Sequence, residues 1–265
     1  MNNLRPQITG DIRVEPTATT AVIGKMFAVL DHFAATGGQS TLARIAAATG
    51  LPKPTVHRLV KDLKNWGALE ANGDWLRLGP RLFELGQLVP HTRNLRSAAL
   101  PFMQDLYEAT HETIHLGVLD GGHVVYVEKI TGHHSGATPT RVGGRMPAPY
   151  TGIGKVLLAH LSDDAVDVAV RAAGPPRTPT SILSREVLKQ HMALIRDRGV
   201  AFDQEESQPG LVCVAAPIFD RTGTAVAGLS IAGPAGRFVP ARFEAAVLTA
   251  AHGVRRTLRT AATDS

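Results

Sequence analysis

The sequence predicts an α+β protein: an N-terminal winged helix-turn-helix, then a C-terminal antiparallel sheet covered by helices. Three stretches carry that expectation. Residues 41–64, TLARIAAATGLPKPTVHRLVKDLK, read as two helices joined by a sharp turn, the second of them basic. Residues 68–78 read as a tight hairpin around Asn72-Gly73, a pair whose members both accept positive φ. Further on, residues 113–130 and 211–232 each hold two apolar runs around a turn, Asp120-Gly121-Gly122 and Asp220-Arg221-Thr222-Gly223. Hairpin strands imply an antiparallel sheet, and the intervening amphipathic stretches supply helices to cover it.

Residues 1–19 are polar, with scattered Pro, Thr and Gly, and are expected to be a disordered tail. A first helix follows over 20–35, with Thr20 as its cap and Val22, Met26, Val29, Leu30 and Phe33 as its core stripe. Thr36-Gly37-Gly38 is a loop. In the next helix Leu42, Ile45 and Ala46 are the apolar positions, and Thr49-Gly50 stops it. Pro54 fits the first turn of the second helix, where its missing N–H costs nothing. There Val56, Leu59, Val60 and Leu63 fall at i, i+3, i+4 and i+7, one apolar stripe. Thr55, His57, Arg58, Lys61 and Lys64 occupy the other faces. A helix of this kind has the width of the DNA major groove.

After the wing, residues 81–89 read as a connector helix with Pro90 behind it. A second helix over 95–110 places Leu100, Met103, Leu106 and Tyr107 on one side. Residues 131–149 read as a Gly-, His- and Pro-rich loop containing a short strand at 139–142. Thr151-Gly152-Ile153-Gly154-Lys155 opens a helix over 156–161, and another follows at 163–173. Ser184 caps a helix that ends at Gly199, and the last helix begins near Pro240.

The chain has 265 residues, enough for one or two domains with a buried core. Its 44% hydrophobic and 19% charged content is ordinary for a globular protein. The formal net charge is +5. Between residues 41 and 81 lie seven cations (Arg44, Lys53, Arg58, Lys61, Lys64, Arg77, Arg81) and three anions (Asp62, Glu70, Asp74), a balance of +4. Most of the excess therefore sits on the helix-turn-helix, which favours a polyanionic partner. A single cysteine, Cys213, excludes an intrachain disulfide framework. The N-terminus lacks the apolar core of a signal peptide, and no apolar stretch is long enough to cross a bilayer. A cytoplasmic protein without a membrane partner is the expectation.

Double-stranded DNA is the expected partner of residues 41–78. Arg44, Lys53, Arg58 and Lys61 are candidates for phosphates, and Thr55 and His57 for base edges. Asn72 and Arg77 in the wing are candidates for a minor groove or the backbone; a simple turn is an equal reading. The alternative for the whole stretch is a helical hairpin with a solvated basic face, mediating protein contacts in a ligand-binding module. A third reading, a zinc hydrolase, comes from His111-Glu112-Thr113-Ile114-His115, which spells HExxH. That motif needs a helix, where residues four apart lie ~6 Å from each other. Here the second histidine stands among Thr, Ile, Leu and Val, a strand context, in which the spacing is ~13 Å and too long for one metal. The spelling is read as coincidence. No catalytic residue, metal or cofactor is assigned.

With both halves read, the chain from about 20 to 260 resembles the IclR family of bacterial transcription regulators. Three segments carry the likeness: IAAATGLPKPTVHRLVKDLKNWG, PAPYTGIGKVLLAHL and AFDQEESQPGLVCVAAPIFDRTGTAVAGLSIAGP. The resemblance implies a winged helix-turn-helix at 20–79, a linker helix at 80–95 and a GAF-like effector-binding domain at 96–265. It implies homodimers, often paired into tetramers, and a regulator, most simply a repressor of a metabolic operon, that senses a small organic acid. It places effector contacts at Gly152 and Ile153, where backbone N–H groups receive a carboxylate, and at Asp203, Cys213 and Ser230. Read alone, Cys213 is a small buried hydrophobe, Asp203 part of a solvated charge run and Ser230 a locally satisfied hydroxyl. The family's second pocket serine is Ala232 here, and the small residue usual after the glycine is Ile153. Both changes remove polarity or room, favouring a less polar or differently shaped acid than glyoxylate or pyruvate.

Overall fold

The structure is a computed structural model that describes residues 22–133, 140–182 and 184–261. These fall into two compact units, one ending at Arg93 and the other beginning at Asn94. The disordered tail expected at 1–19 and the Thr20 cap lie outside the described residues.

The first unit runs α1 (Val22–Ala35), β1 (Gln39–Ser40), α2 (Leu42–Thr49), α3 (Lys53–Asn65), β2 (Leu69–Asn72), β3 (Trp75–Leu78) and α4 (Pro80–Gln87). The Thr41 side chain accepts the Arg44 N–H at the start of α2, and Gly50 ends it with φ 66°. Val56, Leu59, Val60 and Leu63 of α3 turn inward onto Val29, Phe33, Ile45, Leu69 and Leu76. The apolar stripe read from the sequence is thus the face that α3 buries. Val22 and Leu42 were expected in the core but are exposed, because each opens its helix, ahead of the turns that neighbouring helices cover. Residues 39–40, beyond the expected loop, pair with β3 as a third strand, in the order β1-β3-β2.

The wing turn sits one residue later than expected. Asn72 pairs directly with Trp75, so Gly73-Asp74 are the central residues. Gly73 carries φ 60°, and glycine in the first central position is what a type II′ turn takes.

The second unit begins within α5 (Pro90–Thr110), which starts at Pro90 rather than near 95; proline is well suited to a first helical position. Its buried face is Leu95, Ala98, Ala99, Met103 and Leu106. Leu100 lies one step round the helix and is exposed. Then come β4 (Thr113–Asp120), β5 (His123–Ile130), β6 (Arg145–Pro147), a 3₁₀ turn (Ala148–Tyr150), α6 (Gly152–Leu158), α7 (Asp163–Ala172) and α8 (Arg185–Arg198). β7 (Ala201–Gln204), β8 (Leu211–Phe219), β9 (Ala225–Pro234), a second 3₁₀ turn (Pro240–Phe243) and α9 (Glu244–Ala261) complete it. The six strands form one antiparallel sheet in the order β6-β5-β4-β9-β8-β7.

Both faces of this sheet are covered, so β8 and β9 are nearly continuous apolar runs. On β8, Val212, Val214, Ala216 and Ile218 meet α5 and α9, while Ala215 joins the cluster built on α6, α7 and α8. The short strand lies at 145–147 instead of 139–142. Gly143, at φ 74°, turns the chain first, and only past it does the backbone run along β5. β7 was not foreseen: its Asp203-Gln204 end is polar, and pairing with β8 makes it a strand.

Candidate functional site

Two surfaces carry chemistry, one in each unit. The first is the outer side of α3. With the apolar stripe turned inward, Lys53, His57, Arg58, Lys61 and Lys64 are left exposed and Thr55 half-buried. None of the four cations has an ion-pair partner among the described residues. Arg44 on α2 is likewise exposed and unpaired. The wing differs. Arg77 stands opposite Glu70 across β2 and β3 and bonds it at 2.8 Å, so its charge is already shared. Asn72 is exposed beside the turn.

The second surface is a pocket between the sheet and α6. Strand register builds its floor. Asp203 of β7 faces Cys213 of β8, Cys213 faces Ala232 of β9, and Ser230 of β9 faces His115 of β4. Tyr126 of β5 stands opposite Gly117, two residues from His115 and on the same face. Thr151, Gly152 and Ile153 form the roof, and Thr140, Met146, Ser207 and Leu211 close the sides. All five residues that the family likeness singled out therefore line one pocket. His115 had been singled out only for the HExxH spelling, and Tyr126, Thr140 and Ser207 not at all. The advance signal for His115 and Tyr126 was a polar residue in each of two apolar strands.

The roof comes close to the sheet because it is glycine. A Cβ on Gly152 would sit 2.7 Å from Cys213 Sγ, and one on Gly154 2.0 Å from the Ala148 carbonyl oxygen. The Thr151 side chain caps α6 by accepting the Gly154 N–H at 2.9 Å. Gly152 lies against the Cys213 sulfur. The Ile153 N–H has no acceptor among the described residues.

Charges in the floor are arranged unevenly. Asp203 accepts the Ser207 hydroxyl at 2.5 Å and the Glu206 N–H at 2.7 Å. Burial still raises its carboxyl to about 6, despite those bonds and the nearby Lys155. Behind it, Lys155 of α6 bonds Glu206 at 2.5 Å, with both side chains buried. Burial pushes the Cys213 thiol up to about 12, which makes it a poor nucleophile. Burial, with Lys129 nearby, depresses His115 to about 3, so its ring is neutral. Its Nε2 lies 2.7 Å from Thr140 Oγ1. The enclosed space is about 20 Å³, room for about one water. Anything larger enters only as the walls part.

The HExxH reading does not survive the geometry. His111 follows the end of α5 with φ 55°, and His115 is inside β4. The two histidines never share a helix face, and no group of three or more His, Cys, Asp or Glu side chains suited to a metal occurs among the described residues. No helix among those residues is long and apolar enough to cross a membrane.

A winged helix with a bare cationic second helix, joined in one chain to a separate sheet-and-helix unit, defines a helix-turn-helix DNA-binding regulator. Comparison with known proteins agrees. The family model of the IclR helix-turn-helix domain matches residues 22–73, and that of the bacterial transcriptional regulator IclR C-terminal domain matches residues 87–256. The chain belongs to the IclR family of bacterial transcriptional regulators. It is 34% identical over 239 residues to the HTH-type transcriptional regulator KdgR of Escherichia coli, covering 88% of this chain and 89% of that one. It is 31% identical over 234 residues to the HTH-type transcriptional repressor AllR of Klebsiella pneumoniae, covering 86% of each. Among solved structures, an IclR homologue from Microbacterium hydrocarbonoxydans complexed with 4-hydroxybenzoate superposes with a TM-score of 0.83 at 26% identity, covering 91% of this chain and all of that one. The match to a helix-turn-helix regulator family over both halves leaves the protein-contact and zinc-hydrolase readings without support.

Proposed function

We propose that this regulator is a cytoplasmic repressor of a metabolic operon whose grip on DNA is set by a small organic acid bound in the pocket of its second unit. The observation that carries the effector half is convergence. Gly152, Ile153, Asp203, Cys213 and Ser230 come from α6, β7, β8 and β9, lie far apart in sequence, and line one enclosed pocket. Ile153 N–H and the Ser230 hydroxyl are neutral donors for a carboxylate, as in a preformed anion site without a cation. In the other half, Arg44, Lys53, Arg58 and Lys61 hold phosphates, while Thr55 and His57 reach base edges. Asn72 and Arg77 touch the flanking backbone. Residues 20–79 are the DNA-binding domain, 80–95 the linker and 96–265 the effector-binding domain. The protein acts as a dimer or tetramer on a two-fold symmetric operator, and the acid shifts the population of DNA-competent arrangements. It works as a regulator and not as an enzyme.

The test is fluorescence anisotropy of the full-length protein on a duplex from its own upstream region, across salt, with and without small acids including 4-hydroxybenzoate. Binding that falls steeply with salt and changes with one of the acids is expected. Binding that no acid alters, at any salt, defeats the effector half. Absence of binding under all conditions defeats the whole.

A further inference from the structure

The polarity missing at Ala232 returns on the opposite wall of the pocket. His115 and Tyr126 belong to β4 and β5, and each is about nineteen-twentieths buried. We infer that His115 and Tyr126 are specificity-determining residues of this pocket, and that its effector is an acid bearing a second polar group, a hydroxyl, which these two side chains read. This rests on the acid-effector reading above and narrows it.

The argument is an account of polar atoms. A hydroxyl, ring nitrogen or backbone N–H that meets a pocket without a protein partner keeps its hydrogen-bonding capacity for a ligand. Asp203 spends its oxygens on Ser207 and Glu206. Five pocket groups have no hydrogen bond among the described residues: the Gly152 and Ile153 N–H groups, the Ser230 hydroxyl, the Tyr126 hydroxyl and His115 Nδ1. None of the three side-chain atoms is sealed off, so each opens onto the pocket. They form two poles. Ile153 and Ser230 sit under α6, while His115 and Tyr126 form the β4–β5 wall. Strand β4 separates β9 from β5, so the backbones of Ser230 and Tyr126 lie about two strand spacings, ~10 Å, apart. The space enclosed between the poles is about 20 Å³, so an acid that meets both does so with the walls parted.

The wall is built to be held still. Thr140 fixes the His115 ring through Nε2, and the Tyr126 ring packs against it with centroids 5.0 Å apart. Both groups are neutral: burial depresses His115 and pushes the Tyr126 hydroxyl up, so the phenol keeps its proton. A neutral donor and a neutral acceptor suit a hydroxyl. They do not offer the charge that a second carboxylate would need. Ile153, Met146, Leu211 and Ala232 line the pocket with apolar surface.

The experiment is calorimetric titration of the full-length protein with two matched pairs, phenylacetate against 4-hydroxyphenylacetate and butyrate against 4-hydroxybutyrate, in the wild type, Tyr126→Phe and His115→Gln. In at least one pair the hydroxylated acid is expected to bind the wild type roughly tenfold more tightly. Tyr126→Phe should bring that ratio close to one by weakening the hydroxylated acid more than the plain one. A residue that merely supported the fold would weaken both members equally. Equal affinities within both pairs in the wild type overturn the inference while the acid reading stands. So does a ratio that survives in both variants. If none of the four acids binds at millimolar concentration, the acid reading falls and this inference falls with it.

Discussion

Lys155 is the most consequential single side chain behind the pocket, and its replacement gives a quantitative test. Its ammonium is 1% exposed and bonds a Glu206 carboxylate that is 6% exposed, at 2.5 Å. Glu206 in turn donates its backbone N–H to Asp203, and its carbonyl is held by the Ser181 hydroxyl at 2.8 Å. Changing Lys155 to Met removes the cation and strands a buried carboxylate whose Oε2 already lacks a partner. Breaking one side of such a pair costs about 3–5 kcal/mol, whereas replacing both sides with apolar groups of similar volume is often neutral. At about 2–4 °C per kcal/mol for a chain of this size, the melting temperature should drop by roughly 6–20 °C. Urea titrations measure the cost, with Lys155→Met/Glu206→Leu as the control that restores neutrality. A single variant within 1 kcal/mol of wild type, or a double variant no better than the single, would refute the reasoning.

Three further outcomes follow from the same geometry. Arg58→Ala and Lys61→Ala should each weaken binding to all DNA sequences alike and flatten the plot of log Kobs against log salt by about one; anisotropy across a salt series measures this, and unchanged slopes exclude phosphate contact. Glu70→Gln should release Arg77 from its 2.8 Å pair and make operator binding tighter and steeper in salt, unless the wing faces away from DNA. Asp203, raised to about 6 from an ordinary 3.8, costs on the order of 3 kcal/mol to ionise in the folded state. Because its folded value is the higher one, the stability it contributes is present at acid pH and lost as pH rises through about 6. Asp203→Asn should remove that loss, so denaturation of the two proteins at pH 5 and pH 7.5 should show a difference that changes with pH; a pH-independent difference rules it out.

The sequence by itself determined whatever local physics decides. The i, i+3, i+4, i+7 spacing of Val56, Leu59, Val60 and Leu63 set which face of α3 turns inward, and so which cations stay outside. Gly50 and Gly199 ended their helices in the left-handed conformation that glycine tolerates, and Ser184 capped the helix that Gly199 closes. These signals act between residues a few positions apart, so the sequence displays them directly. Matters between distant segments were settled only by the tertiary structure. Leu100 and Val22 carried helical spacing but stay exposed among the described residues. β7 became a strand because β8 lay beside it, and the wing turn moved by one residue to satisfy the register of its own strands. The pocket shows the division most plainly. Asp203, Cys213 and Ser230 were visible through motifs, yet His115 was read as half of a false zinc signature and Tyr126 as one more strand residue. A strand's period of two states which residues share a face, but not which strand lies alongside. Only the pairing of β4 with β9, more than a hundred residues away, puts His115 next to Ser230 and gives the pocket its second polar wall.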